Sequence, residues 1–256
     1  MGGDFGFDPG VLIAFLLVVF RLGGMFAFVP IPGSKMVVEP AKLILILSLT
    51  VALQPAWPRV DAGALTAGRL AAWVAGECLF GTGVGVLVGM LSECLVFGAQ
   101  AVTMQAGFSY ASTFDPGSQA DSTVLQTAAQ LAANLLFFAC GVDRIVLRAF
   151  ARSLEACPPG SVEIGWQSAS RLTHFGGEML ELGVRLALPV AGLLLLTDVT
   201  LALAGRLQSQ LQLLSLAFPV KMLGSLAMLA ILAPMMAWAY RAGILRMTEA
   251  LSTFLR

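Results

Sequence analysis

The chain has 256 residues, of which 58% are hydrophobic and 12% charged, with 15 basic side chains balanced by 15 acidic ones. Its mean hydropathy is +0.86, and its charged fraction is about half the roughly 25% of ordinary soluble domains. That much apolar surface excludes a cytosolic enzyme, its bulk excludes disorder, and the balanced charge without a long basic run excludes a nucleic-acid binder. What remains is an all-α, membrane-associated protein of one domain with about six long helices.

Residues 1–10 hold Asp4 and Asp8 but no Lys or Arg. With no basic region ahead of it, the first apolar run, Val11–Val29, is expected to stay in the mature protein. Apolar segments follow at 41–56, 69–104, 122–154, 177–204 and 207–240, after a first at 10–29. Pro30, Pro32, Gly33 and Pro40 punctuate the first junction, and Pro55, Pro58, Asp61 and Gly63 the second. Asp115-Pro116-Gly117-Ser118 is a strong turn signal, and Cys157-Pro158-Pro159-Gly160 closes the fourth segment. The longest polar stretch is 158–178.

Spanning a bilayer takes about 18–20 apolar residues, and only 94–114, 122–142 and 222–240 reach that length without a charge. Arg21, Glu77, Glu93, Glu181, Arg185, Asp198, Arg206 and Lys221 lie inside or at the edges of the other segments. Each would cost at least about 2.5–3.5 kcal/mol against lipid. They are therefore expected to face protein, water or headgroups, which argues for helices packed in a larger assembly. The third segment, 36 residues from 69 to 104, would run about 54 Å as one helix. It either breaks near its glycines or projects beyond a core of about 30 Å.

Gly81, Gly85 and Gly89 fall on one face of that segment, where another backbone can approach closely. The spacing serves a seam with a partner and a seam within the chain equally. At such a seam an alanine at position 85 is expected to be tolerated and a leucine is not. Glu181 and Arg185, at i and i+4 with the acid first, can neutralise each other. Arg144, Arg148 and Arg152, with Glu155, form a stripe that reads as solvated or headgroup-facing, or as a contact for an acidic partner.

No metal-ligand pair, redox Cys pair or dinucleotide fingerprint is present. Cys78, Cys94 and Cys140 sit in apolar runs as small core side chains, and His174 lies alone in the polar stretch. No catalytic residue, cofactor or metal is expected. The most unusual segment runs from Gln105 to Ser118. It is rich in small and hydroxyl residues, with Phe108, Tyr110 and Phe114 among them, and it separates two highly apolar runs. Irregular backbone at membrane depth is tolerated where protein or a water-filled cavity satisfies it. The segment therefore reads either as a loop lining or plugging a pore, or as a surface loop.

In this context Gly107-Phe-Ser-Tyr-Ala-Ser-Thr-Phe-Asp115-Pro116 resembles the FliR family of bacterial flagellar type III export-gate proteins and their injectisome counterparts. The resemblance covers nearly the whole chain. It takes in Arg21 with Pro30 and Pro40, Glu77 with Gly81-x-Gly83, and Leu188-Pro189-Val190 with Asp198. It ends with Arg206, Gln210 and Phe218-Pro219-Val220-Lys221 before Gly224. Two positions depart from it: Ser209-Gln210-Leu211-Gln212 stands where the family often has Pro-Gln-x-Asn, and Gly141-Val142 where flagellar members often have Gly-His.

The resemblance implies a non-enzymatic subunit of an inner-membrane export channel at the flagellar basal body. Its partners would be FliP- and FliQ-like subunits, FlhB and FlhA, and its cargo unfolded flagellar subunits. It implies a FliP-like part over 1–160 and a FliQ-like hairpin over 177–240. A plug at about 106–118 would include Gly107, Phe108, Ser109, Tyr110, Phe114, Asp115, Pro116 and Gly117. The alternatives are an injectisome gate subunit and a small-molecule or ion transporter using Glu77, Glu93, Asp198 and Arg185.

Overall fold

The computed structural model describes residues 9–29, 39–57, 66–107, 123–160, 165–207 and 213–254. Among them are seven α-helices and a 3-10 turn, and no strand. The helices are α1 (Pro9–Phe28), α2 (Glu39–Ala52), α3 (Ala67–Ala106), α4 (Thr123–Ala139), α5 (Val142–Ala156), α6 (Trp166–Leu207) and α7 (Leu213–Phe254), with the 3-10 turn at Gln54–Ala56 between α2 and α3.

Local chemistry sets these limits. Pro9 opens α1, where its missing N–H and fixed φ cost nothing. The Thr66 carbonyl accepts the N–H groups of Arg69 and Leu70 to start α3. Gly107, at φ +83, closes α3 in the left-handed region that glycine enters without strain. The third segment is thus one α-helix of 40 residues, and its glycines do not break it. The fourth segment is divided instead, because Gly141 at φ +69 ends one helix and begins another. The polar stretch is partly helical, since α6 starts at Trp166. Pro189 in α6 and Pro219 and Pro234 in α7 are accommodated within helices, as apolar membrane-type helices allow.

The chain forms two compact units. The first comprises residues 1–90, 141–176 and 245–256. Here α1 packs on α2 and on the first part of α3, and α5 covers the 3-10 turn. Phe15 and Trp57 meet with ring centroids 5.6 Å apart, and the Trp57 indole N–H donates to the Thr50 carbonyl at 3.1 Å. The second unit comprises residues 91–140 and 177–244. One core cluster of this unit joins Val102 and Ala106 of α3 to Ala187, Val190 and Leu194 of α6. Leu125 of α4 and Met228, Leu229 and Leu232 of α7 pack against them.

Glycines set the closest helix approaches in both units. A Cβ at Gly24 would lie within 3.0 Å of the Cys78 carbonyl, and one at Gly81, Gly85 or Gly89 within 3.0 Å of the carbonyls of Arg21, Met25 and Phe28 in turn. In the second unit Gly98 and Gly183 bring α3 and α6 together in the same way. The α3 glycines therefore face α1 of their own chain. Because the obstacle is backbone, the expectation that alanine fits at position 85 does not survive: the Cβ itself is excluded.

Gly85→Ala is expected to destabilise the protein by about 1–3 kcal/mol, as overpacking does. Gly23→Ala, with nothing within 4 Å of its added methyl, is expected to be neutral or slightly stabilising in a helix. Thermal unfolding of both variants in one mild detergent checks the contrast, and equal midpoints would remove the close approach from the account.

Candidate functional site

The most heavily engaged polar cluster of the first unit is built on α1, α3 and α5. Arg21 of α1 and Glu77 of α3 form an ion pair, and neither side chain has any solvent exposure. Arg21 Nη1 donates to the Ser153 carbonyl at 3.0 Å and approaches Ser153 Oγ at 3.3 Å, while Nη2 donates to the Cys157 carbonyl at 3.0 Å. The guanidinium carbon lies 4.7 Å from the centre of the Phe80 ring. Glu77 Oε1 accepts the Gly160 N–H at 2.8 Å. Gly160, at φ +92, lies against the Trp73 ring, and Arg69 stands over the same ring at 5.7 Å.

The sequence explains the arrangement. The C-terminal carbonyls of a helix carry partial negative charge. That of Ser153 accepts the Cys157 N–H at 2.9 Å and has a second lone pair for Arg21, while that of Cys157 lies beyond the helix's last intrahelical bond. Arg21 meets two carbonyls at the end of α5, and the fork of its guanidinium serves both. Glu77 balances that charge and holds the Pro158-Pro159-Gly160 turn through a backbone N–H. Among the described residues no buried side-chain nitrogen or oxygen lacks a hydrogen-bond partner. The cluster is a structural clamp with both charges satisfied and sequestered from water.

The other embedded charges are placed differently. Glu181 and Arg185 form their i,i+4 pair on an exposed face of α6. Asp198 of α6 pairs with Lys221 of α7, the lysine being largely covered. Glu93 and Arg206 are exposed. Glu77, Arg185 and Asp198 thus belong to three separate pairs, and the described residues hold no group of His, Cys, Asp and Glu suited to a metal. The four cysteines are free thiols, and His174 is exposed. Of the loop residues, Gly107 is buried at the end of α3; Phe108, Ser109, Tyr110, Phe114, Asp115, Pro116 and Gly117 lie outside the described residues.

The sequence reading missed Ser153, Cys157, Gly160 and Phe80 as partners of the Arg21–Glu77 pair. It also missed Gly24 opposite the α3 glycines. The Gly23-Gly24 pair within the first apolar run was the available signal for the latter.

Much apolar surface is bare. On α2, Leu43, Ile44, Leu45, Leu47 and Val51 are all exposed. The most apolar windows of α6 and α7 are only 17% and 11% buried. Four helices (α1, α3, α6 and α7) are long and apolar enough to cross a membrane by length and composition. Fold and surface together define a helical membrane-type protein in which three embedded pairs, Arg21–Glu77, Glu181–Arg185 and Asp198–Lys221, neutralise their charges.

Comparison with known proteins gives the family. Residues 12–247 match the model described as bacterial export proteins, family 1. The chain belongs to that family. It is 25% identical over 218 residues to the flagellar biosynthetic protein FliR of Escherichia coli, covering 85% of this chain and 83% of the relative. It is 23% identical over 224 residues to FliR of Aquifex aeolicus, covering 88% and 86%. It is 26% identical over 219 residues to FliR of Caulobacter vibrioides, covering 84% and 86%.

Removing one member of a buried ion pair leaves the other uncompensated, at a cost of about 3–5 kcal/mol. Glu77→Ala is therefore expected to reduce accumulation and lower the unfolding midpoint sharply. The exchange Arg21→Glu with Glu77→Arg is expected not to rescue it, because a carboxylate at position 21 would face the Ser153 and Cys157 carbonyls. Recovery of wild-type stability by the exchange would show that charge pairing alone, without the α5 carbonyls, sustains the fold.

Proposed function

We propose that this protein is a non-enzymatic subunit of the flagellar type III export gate in the bacterial inner membrane, at the basal body. The family match over residues 12–247 is the observation that carries the reading, and the flagellar names of the relatives favour it over an injectisome gate. The bare faces of α2, α6 and α7 support insertion among other apolar helices and lipid. FliP- and FliQ-like subunits, FlhB and FlhA are the proposed neighbours, and unfolded flagellar subunits the proposed cargo. A FliP-like part over 1–160 and a FliQ-like hairpin over 177–240 remain part of the proposal. The separate pairing of Glu77, Arg185 and Asp198 speaks against a transporter that gathers them around one ion.

Deleting the gene is expected to abolish secretion of hook and filament subunits into the medium, while a tagged copy restores it and co-purifies with the FliP- and FliQ-like subunits. Undiminished flagellar export in the deletion strain would overturn the reading.

The same proposal assigns the loop from Gly107 to Gly117 as the plug of the closed channel. Its small residues suit a compact loop, and the rings of Phe108, Tyr110 and Phe114 are the apolar bulk that a water-excluding plug requires. Deleting residues 110–114 is expected to leave assembly intact and make cells permeable to ions and small dyes. Unchanged permeability in a variant that assembles would refute the plug, whereas a surface loop can be trimmed without such an effect.

A further inference from the structure

We propose that the exposed face of α5 bearing Arg144, Arg148 and Arg152 docks onto the anionic phosphate headgroups of phospholipids. The inference rests on the membrane reading above. One face of α5 is buried in the first unit through Val142, Val146, Phe150, Ser153 and Leu154. The three arginines are exposed, and their four-residue spacing sets them about 6 Å apart along the helix.

No ion pair among the described residues occupies them, as is also true of the exposed Arg206 and Arg241, but only on α5 do three such cations share one face. The cations at Arg21, Arg185 and Lys221 are each paired with a carboxylate of this chain, and Arg171 donates to the Thr253 carbonyl. None of the three α5 arginines enters an ion pair among the described residues. The nearby acids are Glu155, exposed at the end of the helix, and Asp143, half-buried at its start. They leave the exposed face basic.

Two features select a headgroup layer over an acidic protein. Leu147 is exposed between Arg144 and Arg148, so the face mixes apolar and cationic groups as the headgroup boundary does. In the chain, α5 directly follows 122–142, a run without charge, in which Leu131, Leu135 and Phe138 are exposed. An apolar run succeeded within a turn or two by arginines is the pattern of a chain leaving hydrocarbon for the anionic leaflet surface. Guanidinium suits the task because its fork matches phosphate oxygens.

The test uses the full chain assembled with its partner subunits, extracted from membranes of mixed phosphatidylglycerol and phosphatidylcholine. The ratio of the two lipids retained is measured by mass spectrometry. A basic residue near an anionic surface contributes about a fivefold preference, and three together roughly a hundredfold before salt screening. The variant R144Q/R148Q/R152Q is expected to lower the retained ratio at least tenfold, R144K/R148K/R152K to keep most of it, and rising salt to erode it.

An unchanged ratio in the glutamine variant, shown to be folded by its unfolding midpoint, overturns the proposal. So does displacement of phosphatidylglycerol by inorganic phosphate beyond the effect of chloride at equal ionic strength, which would mark a free-phosphate site. Loss of a partner subunit with the lipid ratio unchanged would assign the face to an acidic protein and overturn it too. Should the glutamine variant misfold, R148E alone serves: a ratio no lower than wild type refutes the docking. Lipid retained without headgroup preference defeats this inference alone, whereas no retained phospholipid in any form defeats the membrane reading with it.

Discussion

The first unit depends on a charge that has nowhere else to go. Arg21 lies in the middle of an apolar helix and has no route to water, so its guanidinium has to be satisfied where it stands. A lone buried ion pair is poor compensation for the desolvation of two charges. Here Arg21 also meets two carbonyls at the end of α5, and Glu77 also holds the Gly160 N–H. These bonds tie α1, α3, α5 and the turn after it into one arrangement. The glycines serve the same end: Gly24, Gly81, Gly85 and Gly89 remove the side chains that would keep α1 away from α3.

The second unit is held by different means. One cluster of its core is aliphatic, Gly98 and Gly183 bring two helices into backbone contact, and a hydrogen-bond contact of 3.3 Å joins the buried Ser92 and Tyr240 hydroxyls. The Asp198–Lys221 pair joins α6 to α7, two helices whose apolar windows are only 17% and 11% buried. A family of export proteins gives these uncovered faces a physical sense. Surface that neither water nor this chain satisfies is of the kind that lipid or other apolar helices match.

The helical class and most element positions were legible because apolar runs and proline or glycine punctuation act locally. The third segment spans 69–104 in the sequence pattern and 67–106 in the structure. Two misplacements have local causes as well. The break at Gly141 needed a left-handed residue that an unbroken apolar pattern conceals, and the start of α6 at Trp166 lies in a stretch whose polarity hid its helical order. At the clamp, Arg21 and Glu77 were conspicuous as charges in apolar runs. Their carbonyl and amide partners were not, because a backbone group carries no signature in the sequence. Ser153 and Cys157 became relevant only when α5 was placed.

The separation between those partners also sets an order of events during synthesis. Arg21 stands 56 residues before Glu77 and 132 before Ser153. At about 5–20 residues per second of translation, Glu77 is made roughly 3–11 s after Arg21 and Ser153 roughly 7–26 s after it. The first helix is therefore complete while its buried cation has no acceptor in the nascent chain. Until α3 and α5 follow, that charge has to rest in water, at the headgroups or against the insertion machinery. The α3 partners of α1 are made before half of the chain has been translated, but the clamp on Arg21 is complete only when Ser153 and Cys157 of the α5 end exist, after more than half of it.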